Sequence, residues 1–428
     1  MAEAEVLYGR GVLRFELPEQ ARATVVRKPS APKLADPRTA VERALDAEPT
    51  ASAPLAELAA GRTSACIVVC DITRPVPNHL FLRPIVDRLV AAGIDLGSIT
   101  ILVATGLHRI GDDAELAELI GDPWVVEHVA VRWHDARDSN QLVDLGRTQT
   151  RGTPVVLNRT LVEADLRIVT GLVEPHFMAG WSGGRKVVAP GVAGHQTIRT
   201  FHSARFMEDP AATQCNLDGN PLHEEQLEIV RQLGEVYAVN TVIDEDRDLL
   251  DVTFGEVVAS HLASVAFVEE LARVELPRRY STVVTSSAGH PLDKTYYQTI
   301  KGMVTPLGIL AEGGTLIIAS ECSEGMGSPE FRAAQRRLVA DGPEGFLASI
   351  TDKPLADVDE WQTEMQLKPL RAGTVQLYTT GLSAAEQRET GVEVVSSVSA
   401  AVAAAIERHG DPEVAIVPEG PYVVPVVR

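Results

Sequence analysis

Short aliphatic and β-branched runs alternate along this chain with stretches whose apolar positions recur every three or four residues. Residues 66–70 (CIVVC), 99–104, 129–133 and 165–170 read as strands, and 281–285, 315–319, 375–379 and 392–395 form a second set. Between them lie amphipathic helices. One covers 80–92, where Leu80, Ile85, Val86, Leu89 and Val90 make an apolar stripe. Another covers 113–120, with Asp112 and Glu115 as an N-terminal cap pair and Gly121 as the stop. Ser328-Pro329, Ser383 with Glu386, and Ser399 ahead of an Ala-rich run ending at Gly410 mark three further helix starts. Strands alternating with helices predict an α/β protein with largely parallel sheets.

A chain of 428 residues suits two or three domains at roughly 150 residues each. The boundary is placed near 277, where Leu-Pro-Arg-Arg-Tyr leads into the strand at 281. This gives an N-terminal α/β domain, 1–276, and a C-terminal α/β domain, 277–428, whose last segment has the option of packing back on the first. Asp244–Asp248 reads as a hairpin tip, and 28–55, rich in Ala and Pro, as an irregular connection carrying one helix.

Composition narrows the partners. Lys and Arg number 39 against 59 Asp and Glu, a net charge of −20, which argues against a nucleic-acid backbone as the ligand. An anionic substrate therefore needs a local cationic pocket. No apolar run approaches the roughly 18–20 residues of a membrane span, and the opening residues lack the basic and apolar regions of a secretory signal. Cys66, Cys70, Cys215 and Cys322 are too few and scattered for a disulfide framework. Cys66 and Cys70 face the same side of one strand and read as small core residues rather than metal ligands. The expectation is a reduced, cytoplasmic protein.

Ligands of open α/β sheets lie beyond the carboxyl ends of the strands. That rule selects Asp71-Ile-Thr73-Arg74-Pro, Thr105-Gly-Leu-His108-Arg, Thr170-Gly-Leu-Val-Glu-Pro-His176 and Ser286-Ser-Ala-Gly-His290. The densest stretch runs from Glu174 to Lys186. Small residues around Ser182 let backbone N–H groups approach an anion and Arg185 and Lys186 add charge, so it reads as a phosphate cradle or, alternatively, a flexible glycine loop. It is not a P-loop, and its Gly-x-Ser-x-Gly match lacks the strand a hydrolase elbow needs.

His195 and His202 stand two helical turns apart and are either ligands or hydrogen-bonded structural histidines. Two histidines do not close a metal site, so a metal here would draw most of its coordination from outside the protein. Tyr297, Gln298 and Lys301 share a helix face, where a Lys and an amide suit a carboxylate; a solvated face is the alternative. Trp361 reads as a lid or pocket wall.

In their order along the chain these residues resemble the nickel-dependent lactate racemase family. The likeness runs through Asp71-x-Thr-Arg74-Pro, Thr105-Gly-x-His108-Arg, Pro175-His176-x-x-Ala-Gly-x-Ser-Gly-Gly-x-Lys186, His202-Ser, Tyr297-Gln298-x-x-Lys301 and Pro418-Glu-Gly-Pro-Tyr422. It implies two α/β domains with the active site in the cleft between them. It also implies a nickel pincer nucleotide, the pyridinium-3-thioamide-5-thiocarboxylic acid mononucleotide, gripping nickel through sulfur, carbon and sulfur.

By motif position, the resemblance makes Lys186 the covalent attachment point and His202 the one protein ligand on nickel. Ser182, Gly183 and Gly184 would lie near the cofactor phosphate, and Asp71 and Thr73 near its nucleotide portion. His108 and His176 would be the acid/base pair. Arg74, Gln298 and Lys301 would hold the substrate carboxylate and orient its hydroxyl, with Tyr297 and Trp361 lining the pocket. The implied reaction inverts C2 of a 2-hydroxy acid, lactate or a related acid, through a 2-keto acid. Proteins that make the cofactor are the implied partners.

The residue types suit that chemistry. The hydrogen at C2 beside an ionised carboxylate leaves more easily as hydride, if a base takes the hydroxyl proton, than as a proton. No side chain accepts hydride, so a cofactor must, and imidazoles on opposite faces serve the two enantiomers. A second substrate carboxylate would call for another cation, with Arg109, Arg185 and His290 as candidates. Two other readings are a nicotinamide-dependent oxidoreductase, opposed by the lack of Gly-x-Gly-x-x-Gly between a strand and a helix, and a noncovalent nucleotide- or nickel-binding carrier.

Overall fold

The run at 66–70 forms the strand Ala65–Cys70, and Cys66, Ile67, Val68 and Val69 are all fully buried. Successive strand side chains point to opposite faces, so burial of all four means the sheet is covered on both sides, the usual setting of a parallel sheet. The structure, a computed structural model, describes residues 2–244 and 246–428 in two units. One unit is Ser30–Phe201 with Asn216–Glu270; the other is Met1–Pro29, His202–Cys215 and Leu271–Arg428.

The first unit is built on six strands in the order Leu249–Glu256, Tyr237–Ile243, Leu166–Leu172, Ala65–Cys70, Ile99–Ala104 and Ala130–Trp133. All neighbours pair in parallel except the hairpin of Tyr237–Ile243 with Leu249–Glu256. Asp244, Asp246 and Asp248 lie at its tip, and Glu245 is outside the described residues. The helix Asn78–Ala91 buries Phe81, Leu82, Ile85, Val86 and Leu89 in a core shared with Ile67, Val69, Ile101 and Val103. Asp113–Ile120 carries the expected capping box of Asp112 and Glu115 and stops at Gly121 in the left-handed conformation.

In the second unit the sheet is parallel throughout, ordered Glu393–Val395, Gly373–Tyr378, Leu310–Ala319, Tyr280–Ser286, Glu413–Val417 and Arg22–Val25. Here α/β alternation with largely parallel sheets is found again.

Several details differ from the sequence reading. By contacts the units divide after Glu270, and two earlier segments join the second unit. Arg22–Val25 does so because its backbone pairs with Glu413–Ile416; Ala204 does so through an apolar cluster with Ala334, Leu338, Phe346, Ile350 and Leu367. The closing strand Val424–Val427 pairs with Arg273–Leu276 inside that same unit. The Ala-rich helix is Val398–His409, capped by Ser397 rather than Ser399, because the Ser397 side chain accepts from the Ala400 N–H. Thr170-Gly171 lies within its strand, not after it, since pairing with Tyr237–Ile243 continues to Leu172. The helix His195–Phe201 ends one residue short of His202, so the two histidines do not share a continuous helical face.

Candidate active site

Strand order in the first unit reverses at Ala65–Cys70: the chain proceeds to Ile99–Ala104 on one side and later returns as Leu166–Leu172 on the other. The loops after Cys70 and Leu172 therefore flank the switch point of the sheet, where open α/β folds place ligands. Asp71, buried at this point, bonds His108 Nδ1 through Oδ2 at 2.6 Å; its Oδ1 accepts from the Thr73 hydroxyl at 2.6 Å. Burial alone would raise the Asp71 carboxyl. The bonds from His108 and Thr73 and the charge of Arg74 outweigh it and hold the group below the usual carboxylate range. An ionised Asp71 can only accept, so Nδ1 of His108 carries a hydrogen. The His108 side chain is half exposed.

Arg74 closes a 2.5 Å ion pair with Glu174, on the loop after Leu172. The next two residues, Pro175–His176, pair antiparallel with Gly180–Trp181, a small hairpin that buries His176. Ser182 ties the base of this hairpin: its N–H donates to Glu174 O at 3.0 Å and its hydroxyl to Leu172 O at 2.7 Å. Within the turn, His176 Nδ1 accepts from the N–H groups of Ala179 at 3.2 Å and Met178 at 3.4 Å. His176 is thus held in the opposite tautomer to His108, with its hydrogen on Nε2.

Gly183 and Gly184 turn the chain into the short helix Arg185–Val188, which carries Lys186. Both glycines have positive φ, and a Cβ on Gly184 would stand 2.7 Å from the His261 side chain. The Gly184 N–H donates to Asn240 Oδ1 at 3.0 Å, so neither it nor the Ser182 hydroxyl is available to an anion in this arrangement. Arg185 is fully buried and bonds the carbonyls of Ala179 and Trp181, each at 2.8 Å. It braces the hairpin that bears His176.

The second unit carries the remaining candidates. His202 is buried, its ring 4.8 Å from that of Trp361. Trp361 belongs to the helix Glu360–Ala372, and its neighbour Gln362 donates to Tyr297 O at 2.6 Å. Tyr297, Gln298 and Lys301 lie on the helix Tyr296–Val304, which starts at the Thr295 cap. The Tyr297 ring stands edge-on to Phe331, and Gln298 Oε1 is buried without a hydrogen-bond donor among the described residues.

Of the cations considered for a second carboxylate, Arg109 is bonded to Glu115, Arg185 lies buried among carbonyls, and His290 lies 3.2 Å from Arg10. Burial pushes the thiols of Cys66 and Cys70 up to about 12, as suits core residues. The pairing of Asp71 with His108 and the part played by Glu174 escaped the sequence reading. Glu174 could have been found from its place directly before Pro175-His176. Among the described residues the one cluster of three metal-ligand side chains is Asp244, Asp246 and Asp248, and Lys33 bonds all three. No helix among them is long and apolar enough to cross a membrane.

A histidine held by a buried carboxylate thus lies at the switch point of the sheet, where α/β enzymes place their sites. Comparison with known proteins gives its family. The lactate racemase N-terminal domain matches residues 8–214, and the lactate racemase C-terminal domain matches 277–425. The chain is 33% identical over 333 residues to the lactate racemase of Thermoanaerobacterium thermosaccharolyticum, covering 77% of each chain. To that of Lactiplantibacillus plantarum it is 34% identical over 335 residues, covering 78% of this chain and 77% of the relative. The solved lactate racemase apoprotein from T. thermosaccharolyticum superimposes with a TM-score of 0.91 at 29% identity, covering 100% of both chains. A crystal structure from Thermotoga maritima shares the fold, with a TM-score of 0.70 at 18% identity, over 94% of this chain and 100% of that one. The chain belongs to the lactate racemase family, and it is an isomerase of the racemase type.

Proposed function

We propose that the chain inverts C2 of a 2-hydroxy acid, lactate or a close relative, through the corresponding 2-keto acid. The observation that carries this reading is the Asp71–His108 pair, an imidazole oriented by a buried carboxylate on the loop that also bears Arg74. Named lactate racemases among its relatives support the substrate class.

The residues fit a nickel pincer nucleotide. His202 belongs to no cluster of three metal-ligand side chains among the described residues, so a nickel held there takes its other ligands from a non-protein group. Lys186, at the start of a helix behind two glycines, is the side chain for covalent attachment; Thr73 and the turn of Ser182, Gly183 and Gly184 flank the nucleotide. When bound, this group supplies the electrophile that accepts and returns hydride.

The chain's own residues do the rest. Arg74, Gln298 and Lys301 bind the carboxylate and orient the hydroxyl, while Tyr297 and Trp361 wall the pocket. His108 Nε2 takes the hydroxyl proton of one enantiomer, with Asp71 stabilising the imidazolium that forms. His176 serves the other enantiomer. To carry a proton on both nitrogens it must release Nδ1 from the Ala179 and Met178 N–H groups, whose bonds are long enough to yield.

The test is intact-protein mass and racemisation of L- and D-lactate, on chain produced beside the proteins that make the cofactor. A nucleotide-sized adduct that disappears in Lys186→Ala, with activity that disappears in His108→Ala, is expected. Full racemase activity without an adduct would refute the cofactor assignment.

A further inference from the structure

The helix Glu360–Ala372 meets the His202–Cys215 segment along one face. Trp361 stands against the His202 ring, Lys368 Nζ donates to Ala212 O at 2.9 Å, and Arg371 pairs with Glu208 Oε2 at 2.8 Å. Glu364 lies between Trp361 and Lys368 on that face, at the i+3 spacing that keeps a helical side chain in line. It is 1% exposed. Its Oε1 is buried without a hydrogen-bond donor, and so is Oε1 of Glu208 on the facing segment. Leaving two buried carboxylate oxygens undonated is costly, and both are satisfied at once if one carboxyl keeps its proton and gives it to the other.

We propose that Glu364 and Glu208 share one proton across this contact, and that the shared proton fixes the position of the segment that carries His202. Neither glutamate touches substrate or cofactor; both are positioning residues. That the segment's position matters to nickel rests on the reading of His202 as its ligand, whereas the shared proton does not.

The charges around the pair agree. Burial first, and then the charge of Glu208, push the Glu364 carboxyl up to about 9 against the pull of Lys368 and Arg371. Glu360, on the same helix, is held by Arg337 at 2.6 Å, from the packed helix Pro329–Ile350, and by Lys353 at 2.8 Å, just beyond that helix. Lys368, itself lowered by burial, also feels Asp209. Glu364 is therefore neutral at pH 7. Between the ordinary carboxylate value and about 9 the folded chain holds a proton that the unfolded chain has released. Its stability thus falls as pH rises through that window.

Hydrogen exchange read by mass spectrometry on the full-length chain tests this, using peptides spanning 202–215 and rates corrected for intrinsic exchange. At pH 7 the wild type and Glu364→Gln, whose amide also donates to Glu208, should protect the segment equally, and Glu364→Ala should protect it less. At pH 10, one unit above a group near 9, the wild type should exchange about tenfold faster than Glu364→Gln. Glu208→Gln removes the neighbouring charge and offers Glu364 an N–H once it ionises, so the wild type's loosening at high pH should be lost. Equal protection of wild type and Glu364→Gln at pH 10 would overturn the proposal. The visible absorption of the nickel in loaded enzyme, followed over the same range, separates the two readings. If the segment loosens while that spectrum is unchanged, the shared proton stands and His202 is not the ligand.

Discussion

The residue that grips Arg74 stands two positions before His176: Glu174 Oε1 lies 2.5 Å from the Arg74 guanidinium. One short piece of backbone, tied at both N and O of Glu174 to Ser182, thus sets the direction of an arginine and of a histidine. Glu174→Gln should raise KM for the 2-hydroxy acid roughly 10- to 100-fold, the value of a charge-assisted hydrogen bond, with a smaller change in kcat. Steady-state kinetics decide it. A fall in KM would mean that Glu174 competes with substrate for Arg74 instead of orienting it.

Asp71→Asn keeps the shape of the pair and removes the charge that fixes the His108 tautomer. A loss in kcat of about 10²- to 10⁴-fold is expected, with KM nearly unchanged. The depressed Asp71 carboxyl stabilises the fold above the ordinary carboxylate value, and that contribution is lost as pH falls through its lowered pKa. Acid unfolding followed by circular dichroism should therefore begin at higher pH in the variant.

The two imidazoles should be distinguishable by 15N NMR of histidine-labelled protein. His108 is expected with hydrogen on Nδ1, and His176 with hydrogen on Nε2. Protonation of His176 should shift the Ala179 amide at the same pH, because that amide donates to Nδ1. An Ala179 signal indifferent to the titration would remove the coupling.

Gly184→Ala places a Cβ 2.7 Å from His261 at a φ of +48°. The strain and the displaced imidazole should cost about 1–3 kcal/mol, read as a lower thermal or denaturant midpoint.

Residues whose signals are local were legible in the sequence. The Asp112–Glu115 and Ser383–Glu386 capping boxes need only their own side chains and backbone, and both form. Tyr297, Gln298 and Lys301 fall on one helix because their spacing dictates it. The loops after Cys70 and Ala104 follow buried strands that announce themselves by composition. What escaped depends on distant partners. Arg22–Val25 is short and mostly exposed, so its own burial pattern does not signal a strand until Glu413–Val417 lies beside it. Asp71 is separated from His108, and Arg74 from Glu174, by whole strands and helices. Their pairing is a product of strand order, which no local pattern encodes.

That edge strand has a bearing on synthesis. Arg22 leaves the ribosome long before its sheet partner Glu413 is made. The first unit has its whole sequence once Glu270 has emerged, and its contacts are largely self-contained. The second must keep Arg22–Val25 waiting until Glu413–Ile416 has been made, and then close the loop between them. Such non-local closure slows folding. A chain cut before Glu413 would release a finished first unit joined to a second whose sheet lacks the strand that Arg22–Val25 pairs with.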